Sequence, residues 1–336
     1  MSTLLRSALV SALVGILSLS TVSAVRAYEE AAVKNGGMIT GKVTLKGAVP
    51  EPRVFPLVLY PFGSYCKKIS DGHGNVLLRE FNVDDSGGIQ DAVIAVENVE
   101  RGKPFPPIKN DFIAVDCMFH PADVADSEMF EVHEGMMHHV HPLLEVMQND
   151  QPLRVKNKDP IIHNGQVFQK QKGNIVLNFP LPVSDNKWYG GVVHLDRGRK
   201  IVQMICGMHE FMQTWGWLVD NPYYAKTKKG GAYTIDQLPP GKYKVTGWLP
   251  HMKPIEKEIT VSANGTTELD FEFDAKQVVR PHYESQEKFR VGPEAMQHEH
   301  LEGCEGPFCV KKEEKKKSGD MDMDMDMKHD EGEGDQ

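Results

Sequence analysis

Short apolar runs separated by turn residues fill most of the chain. In ITGKVTL (39–45) the positions Ile39, Gly41, Val43 and Leu45 alternate with polar ones, which is the two-residue period of a half-buried strand. Similar runs follow, namely FPLVLY, VLLREF, DAVIAVE, FIAVD, LRVKN, NIVLNF, KIVQMIC, GWLVD, KYKVTGW, KEITV and ELDFEF. Because no stretch of the body keeps a long 3.6-residue apolar period, the pattern predicts an all-β fold of sandwiches or barrels.

The order of these runs suggests three β segments and a tail. We expect an N-terminal β region at 28–120, a β-domain at 121–219 and a small sandwich at 220–275, which opens with DNPYYAKTKKGGAYTIDQLPPGKYKVTGWLP. Residues 276–336 hold clusters of Glu, Lys and His and end in SGDMDMDMDMKHDEGEGDQ. A composition of this kind predicts a disordered tail.

Residues 1–27 carry the features of a secretory signal peptide. Arg6 gives a short basic start, residues 7–20 are apolar or small, and small residues lead up to candidate cleavage points after Ala24 and Ala27. The apolar run is too short for a comfortable membrane span, and no second run follows it. We therefore expect an exported, periplasmic protein that has no membrane span once the signal is removed.

Charge and motif content exclude several classes of function. The formal net charge is −9 at pH 7, and residues 311–336, with ten acids and six lysines, carry −4 of it. A mildly acidic body argues against nucleic acid as a partner. The sequence shows no readable nucleophile set, phosphate-binding glycine loop, haem-attachment motif or zinc-protease motif, so we do not expect an enzyme.

Five cysteines in an exported chain leave at least one thiol unpaired. The simplest partition joins Cys66 to Cys117 and Cys304 to Cys309, which leaves Cys206 free. Spacing alone leaves other pairings open.

The unpaired cysteine of that partition stands among other metal-binding residue types. ICGMHEFMQTW (205–215) holds Cys206, His209 and Met212, and His163 comes 43 positions before the cysteine. Taken singly, a buried strand cysteine, a loop histidine and a core methionine each have an ordinary structural explanation. Together, two imidazoles, one thiolate and one weak thioether are the ligand set of a blue-copper centre.

This pattern resembles the cupredoxin family, which includes plastocyanin, pseudoazurin and amicyanin. The resemblance lies in His163-Asn164 after a strand and in the Cys-x-x-His-x-x-Met spacing of 206–212, which is similar to the short ligand loop of amicyanin. It covers roughly residues 140–220 and implies a Greek-key sandwich that holds one copper ion. The implied ligands are equatorial His163, Cys206 and His209 and axial Met212.

One position departs from the cupredoxin pattern. Gly207 follows the cysteine where the family often has Ser or Thr, whose side chain joins the two ligand loops. Backbone groups are the expected replacement for that hydrogen bond.

A second resemblance concerns the small sandwich. The run GGAYTIDQLPPGKYKVTGWLP (230–250) resembles a carboxypeptidase-regulatory-like, transthyretin-type (prealbumin-like) β-sandwich of the kind found in exported bacterial proteins. Physically, this run is typical of a strand, a Pro-Pro-Gly turn and a returning strand.

Two further segments are rich in soft or borderline metal ligands, EVHEGMMHHVHP and the Met-Asp repeat of the tail. The residues are His133, Met136, Met137, His138, His139 and His141, and Met321, Met323, Met325, Met327 and His329. Such residues bind copper or zinc in other proteins. The structural alternatives are an exposed loop and a solvated acidic tail.

We therefore expect a periplasmic mononuclear (type 1) copper protein for one-electron transfer. Its partner would be a redox protein such as a periplasmic cytochrome or oxidoreductase. Copper carriage or delivery is an alternative, and a non-metal sandwich that binds another molecule is a third. Metal content separates the third alternative from the others, and the rates of electron and copper exchange separate the first two.

Overall fold

The computed structural model confirms the predicted all-β fold. The expected signal peptide and the tail beyond residue 280 lie outside the residues that the structure describes, which are 28–123, 130–133, 136–139, 144–169, 173–183 and 186–280. Within these residues, no helix is long and apolar enough to cross a membrane.

In chain order, the strands are β1 (Glu29–Glu30), β2 (Gly37–Lys46), β3 (Arg53–Pro56), β4 (Asn75–Leu78), β5 (Val93–Glu97), β6 (Arg101–Gly102), β7 (Asn110–Val115), β8 (Met118–Pro121), β9 (Phe130–His133), β10 (Met136–His139), β11 (Leu144–Gln148), β12 (Gln151–Asn157), β13 (His163–Gln169), β14 (Asn174–Leu181), β15 (Tyr189–Val193), β16 (Ile201–Cys206), β17 (Gln213–Val219), β18 (Tyr224–Lys226), β19 (Ala232–Leu238), β20 (Gly241–Trp248), β21 (Ile255–Val261), β22 (Thr266–Glu268) and β23 (Phe271–Asp274). A 3-10 turn at Ala275–Gln277 follows the last strand.

The first sandwich contains the candidate ligands. Its sheets have the strand orders β11-β17-β16-β13-β14 and β15-β12-β7-β8. Alternation decides which face of a strand is buried: on β12, Leu153 and Val155 are buried while Arg154 is exposed. β13 begins at the same end of the sheet where its antiparallel neighbour β16 finishes. This arrangement places His163 and Cys206 near each other.

The second sandwich combines strands from both ends of the described chain. One sheet has the order β18-β5-β20-β21, and the other has β19-β2-β22 with β23 also paired to β2. The predicted alternation of ITGKVTL holds, because Ile39 and Val43 on β2 are fully buried and Leu45 is nearly so.

Strand pairing crosses both expected segment boundaries. β7 and most of β8 fall before residue 121 but pair within the first sandwich, and β2 and β5 pair with strands after residue 220. The pattern of a single sequence shows where strands are, but their partners depend on how the sheets close around their cores.

The Pro-Pro-Gly segment also differs from the sequence interpretation. It joins two different sheets, because β19 pairs with β2 while β20 pairs with β5 and β21. Pro239 and Pro240 have no N–H to donate, so they interrupt the ladder and the chain crosses over at this point instead of returning as a hairpin. The transthyretin-type resemblance itself stays a prediction.

The two sandwiches share a hydrophobic core. Trp215 and Trp217 on β17 pack with Val93 and Ala95 on β5 and with Trp248 at the end of β20. The ring centroids of Trp217 and Trp248 are 5.1 Å apart. All seven residues of β17 are buried, because the strand is covered on both faces.

The predicted strand FPLVLY ends at Pro56, where a compact connection between β3 and β4 begins. The N–H of Tyr60 turns back to the Leu57 carbonyl oxygen (3.1 Å) and starts a series of turns. We call residues 57–70 the cap. The cap contains 3-10 turns at Leu57–Leu59 and Lys67–Ile69, the helical turn α1 (Gly63–Cys66), and the buried residues Leu57, Gly63, Cys66 and Ile69.

Candidate metal centre

Two short loops at one edge of the first sandwich bring three predicted ligands together. The Gly207 N–H donates to the Asn164 carbonyl oxygen (2.7 Å), which joins the start of β13 to the end of β16. The Cys206 N–H donates to the Met212 carbonyl oxygen (2.9 Å), and this bond closes the intervening loop. A tight loop at the end of a strand therefore returns His209 toward Cys206.

His163, Cys206 and His209 are fully buried, and their donor atoms form a small triangle. The two Nδ1 atoms are 3.1 Å apart, and each lies 3.7 Å from Cys206 Sγ. Three ligand atoms of the predicted set thus converge on one point, as the spacing of the sequence suggests.

The outer nitrogen of each ring fixes the tautomer. His163 Nε2 lies 2.8 Å from Asp159 Oδ2, and His209 Nε2 lies 2.7 Å from the Pro61 carbonyl oxygen. A carbonyl oxygen and an ionised carboxylate can only accept, so both Nε2 atoms carry the hydrogen. In the neutral rings, both Nδ1 lone pairs then point at each other and at the sulfur.

Three electron-pair donors at these separations call for a cation or a proton between them. A metal about 2.0 Å from each nitrogen and about 2.3 Å from the sulfur, with angles of about 100–120°, needs N–N separations of about 3.1–3.5 Å and N–S separations of about 3.3–3.7 Å. The observed triangle meets this requirement. A trigonal two-histidine, one-cysteine set with a weak thioether is the donor set of blue-copper sites, so the residues fit copper.

The neighbours of Cys206 favour its thiolate form, which is the form that binds a metal. Burial alone would raise the pKa of Cys206, but the hydrogen bonds and positive character of His163 and His209 outweigh it and lower that pKa. Burial alone would lower the pKa of His163, but its bonds to Asp159 and Cys206 outweigh burial and raise it. Without a metal, the buried pair therefore favours a thiolate beside a protonated imidazole.

Asp159 is the residue that holds His163 in place. Its carboxylate accepts from His163, from the Tyr65 hydroxyl (2.9 Å) and from the N–H groups of Asp116 (2.6 Å) and Cys117 (2.9 Å). Burial opposes the charge, but these donors, led by His163, lower the pKa of Asp159 and keep it ionised. Carboxylates that orient ligating histidines in this way are a common part of metal sites.

Backbone groups replace the side-chain bond that Gly207 lacks. A Cβ atom at this position would lie 2.3 Å from Asn164 Oδ1, so the glycine lets the Asn164 side chain lie against the second loop. The Met208 N–H also lies 3.4 Å from Cys206 Sγ, where it donates to the sulfur.

The fourth predicted ligand lies in the same loop. Met212 is fully buried, and its N–H donates to the His209 carbonyl oxygen (3.0 Å). Its role as the axial ligand stays a prediction.

A second cluster adjoins the first. Cys117, Asp159 and His163 have potential ligand atoms within 4.8 Å of one another. Cys117, however, is joined to Cys66, as predicted, and a disulfide sulfur is not a thiolate ligand. The prediction that Cys206 is a free thiol is also confirmed, whereas Cys304 and Cys309 lie outside the described residues.

The segment rich in His and Met forms a hairpin of β9 and β10. The cross-strand partners His133 and Met136 are at its tip, and His139 pairs with Phe130. His141 and the tail methionines lie outside the described residues, and metal binding by either segment stays a prediction.

Neither a family model nor a curated protein matches this chain. Among solved structures, a purple cupredoxin from Nitrosopumilus maritimus matches with 13% identity and a TM-score of 0.21, over 33% of this chain and 100% of its own. A Cu-containing nitrite reductase from Thermus scotoductus SA-01 matches with 13% identity and a TM-score of 0.22, over 35% of this chain and 24% of its own. A reduced amicyanin mutant matches with 12% identity and a TM-score of 0.18, over 38% of this chain and 98% of its own. At TM-scores this low, these similarities establish neither the fold nor the metal site of this chain.

Proposed function

We propose that the protein holds one copper ion with His163, Cys206 and His209, with Met212 as a weak axial ligand, and that it transfers single electrons. The observation that carries the proposal is the buried triangle of two Nδ1 atoms and one sulfur, with sides of 3.1, 3.7 and 3.7 Å. Copper bound there would supply a one-electron couple. The proposed partner is a redox protein of the periplasm, and the proposed role is not enzymatic.

The contribution of the chain is to hold its ligands still. His163 is fixed through Asp159, and His209 is fixed through the Pro61 carbonyl group. Cys206 lies at the end of a buried strand, and the N–H of Met208 points at its sulfur. Ligands that do not rearrange between two charge states keep the barrier to electron exchange low.

Reversible one-electron cycling tests this proposal. Mature protein should bind one copper per chain and show a single reversible wave in voltammetry, and His163→Ala should lose the wave because one equatorial donor is gone. The exposed His194→Ala is the matched control and should keep it. Absence of a reversible one-electron couple in protein that contains stoichiometric copper would overturn electron transfer as the function.

Copper carriage is the second candidate, and one observation favours it. Neither imidazole presents an outer edge to solvent, because Asp159 and Pro61 cover the two Nε2 atoms. A covered site suits retention of a metal in transit. A carrier should pass copper to an acceptor protein quickly and exchange electrons slowly, whereas an electron-transfer protein should do the reverse.

A further inference from the structure

The cap touches both ligand loops of the candidate centre. On one side, its Pro61 carbonyl oxygen accepts from His209, and the ring of Tyr60 packs edge-on against Phe211 with centroids 5.2 Å apart. On the other side, the hydroxyl of Tyr65 donates to Asp159, which holds His163. Residues that are distant along the chain thus close over the outer edges of the centre.

A disulfide fastens this cap to the first sandwich. Cys66 ends α1 in the cap, and its partner Cys117 lies in the turn between β7 and β8. The N–H of Cys117 donates to Asp159 Oδ2, the same oxygen that accepts from His163. The fastening point is therefore one hydrogen bond away from the carboxylate that orients a ligand.

Reduction of this bond would change more than the tether. Cys117 would then carry a thiol within 4.8 Å of ligand atoms of Asp159 and His163. Thiolate, carboxylate and imidazole groups make up a usable metal-binding set. The reduced chain thus has a thiol next to the carboxylate that orients His163, and it loses this thiol when the disulfide forms.

We propose that the cap is a lid on the metal centre and that the Cys66–Cys117 disulfide is its latch. Copper exchanges quickly while both cysteines are thiols, and it is retained once the bond closes. Closure by thiol–disulfide exchange joins the two sulfurs, and their two electrons and two protons pass to an external protein disulfide, which leaves as a dithiol. This inference rests on the proposed copper site and adds an order of events, loading before locking.

Copper release to a chelator tests the latch. Wild-type protein and Cys66→Ser/Cys117→Ser, both loaded with one Cu(I), are mixed with excess bathocuproine disulfonate, and capture is followed by absorbance. Because such cross-links strongly restrict local opening, we expect release from the double variant to be faster by about tenfold or more. Ser64→Ala, an exposed cap position, is the control and should release copper at the wild-type rate.

A second variant loosens the lid without touching a cysteine or a ligand. A Cβ atom on the buried Gly63 would lie 2.0 Å from the Leu57 carbonyl oxygen, so Gly63→Ala must shift the cap turn while the disulfide stays closed. Release should again be faster than in wild-type protein. This variant keeps the proposal testable if the double serine variant fails to fold.

Hydrogen exchange on metal-free protein gives a readout that does not involve copper. The N–H groups of Gly63 and Tyr65 donate to the carbonyl oxygens of Tyr60 and Phe62 within the cap, so they report its opening. They should exchange faster in the double serine variant than in wild-type protein.

The outcomes separate the lid from the copper site itself. If neither wild-type protein nor the double variant takes up copper, the proposed function fails and the lid fails with it. If wild-type protein takes up copper but all variants release it at the wild-type rate, with unchanged exchange at Gly63 and Tyr65, the lid alone is wrong.

Discussion

At the scale of single residues, the Asp159 carboxylate decides which nitrogen of His163 carries a proton. Its Oδ2 accepts from Nε2 at 2.8 Å and so leaves Nδ1 free to face Cys206 and His209. We predict that Asp159→Asn lowers copper affinity by about 10- to 100-fold, as usual for the loss of such a partner. Competition with a chelator of known affinity measures this change.

The control for this variant is the neighbouring carboxylate. Asp116 pairs with Lys68 through its side chain and touches Asp159 only through its backbone N–H, so Asp116→Asn should leave the affinity unchanged. Equal affinities of wild-type protein and Asp159→Asn would contradict the positioning role of Asp159.

Gly207 leaves room for the Asn164 side chain between the two ligand loops. Gly207→Ala would place Cβ 2.3 Å from Asn164 Oδ1, so this side chain must move and disturb the hydrogen bonds that its Nδ2 donates to Asn178 Oδ1 and the Phe179 carbonyl oxygen. We predict weaker copper binding and partial rescue by Asn164→Ala in the same chain, because that change removes the obstructing oxygen. Titration of the two single variants and the double variant measures the coupling, and additive losses would contradict the proposed contact.

Local spacing in the sequence identifies part of this site. His163, Cys206 and His209 come together as their order suggests, and the Cys66–Cys117 bond is the pairing of the simplest partition, although the sequence leaves other pairings open. Local spacing misses Tyr65 and Pro61, which are 94 residues from Asp159 and 148 residues from His209. Contacts over such separations leave no periodic signal in one sequence.

Asp159 is a different case. It stands four residues before His163 and just after a predicted strand, a position that marks it as a candidate orienting carboxylate. Its closeness to His163 along the chain is therefore a local signal for this contact.

At the scale of elements, β17 connects the ligand loop to the second sandwich. Its Trp217 packs against Trp248 with ring centroids 5.1 Å apart and ring planes tilted by 32°, and Trp248 is almost completely buried. We predict that Trp248→Ala lowers the free energy of unfolding by about 3–5 kcal/mol, because a large aromatic side chain leaves a cavity in a shared core. Urea unfolding followed by circular dichroism measures this loss.

Val58→Ala is the control, since that side chain is 88% exposed and its truncation should cost less than about 1 kcal/mol. If Trp248→Ala unfolds in two separate transitions, and the first sandwich keeps its wild-type stability, the shared core is contradicted.

The position of a strand can be predicted from the local pattern of its residues, but its partner strands cannot. The alternation in ITGKVTL correctly marks β2, because its inward residues need only a local pattern. The partners of β2 are β19, β22 and β23, all near the other end of the described chain. Pairing of this kind depends on closing a common core, which no run of six or seven residues encodes.

At the scale of the whole molecule, a carboxyl that is only 12% exposed lies where the two sandwiches meet. Lys226 lies 3.8 Å from Asp91 of the second sandwich and 2.9 Å from Glu145 on β11 of the first. The pKa of Asp91 is raised to about 6. Burial is the largest cause, Lys226 opposes the rise and Glu145 adds to it.

The ionised form of Asp91 therefore opposes folding at neutral pH. Because its folded-state pKa is raised, the stability contributed by the protonated form is complete below about pH 4, the value for an unfolded chain, and is lost as the pH rises through about 6. We predict that Asp91→Asn raises the free energy of unfolding by about 1–3 kcal/mol at pH 7.5 and by much less at pH 4. Asparagine also tolerates the positive φ of 63° at this position.

Urea unfolding of both proteins at the two pH values measures the effect. Asp85→Asn, at an exposed position in the preceding turn, is the control and should change little at either pH. A stabilisation by Asp91→Asn that is as large at pH 4 as at pH 7.5 would show that ionisation of this carboxyl is not the cause.

The visible spectrum of the copper-loaded protein, compared with that of Cys206→Ser, tests the central claim most directly. The claim is that a buried thiolate and two imidazole nitrogens hold the metal. Copper(II) bound to a thiolate gives an intense visible band, so wild-type protein should turn blue or green, and Cys206→Ser should lose the colour because a hydroxyl is a much poorer soft donor. One bound Cu(II) without an intense band, held equally well by Cys206→Ser, would contradict the account.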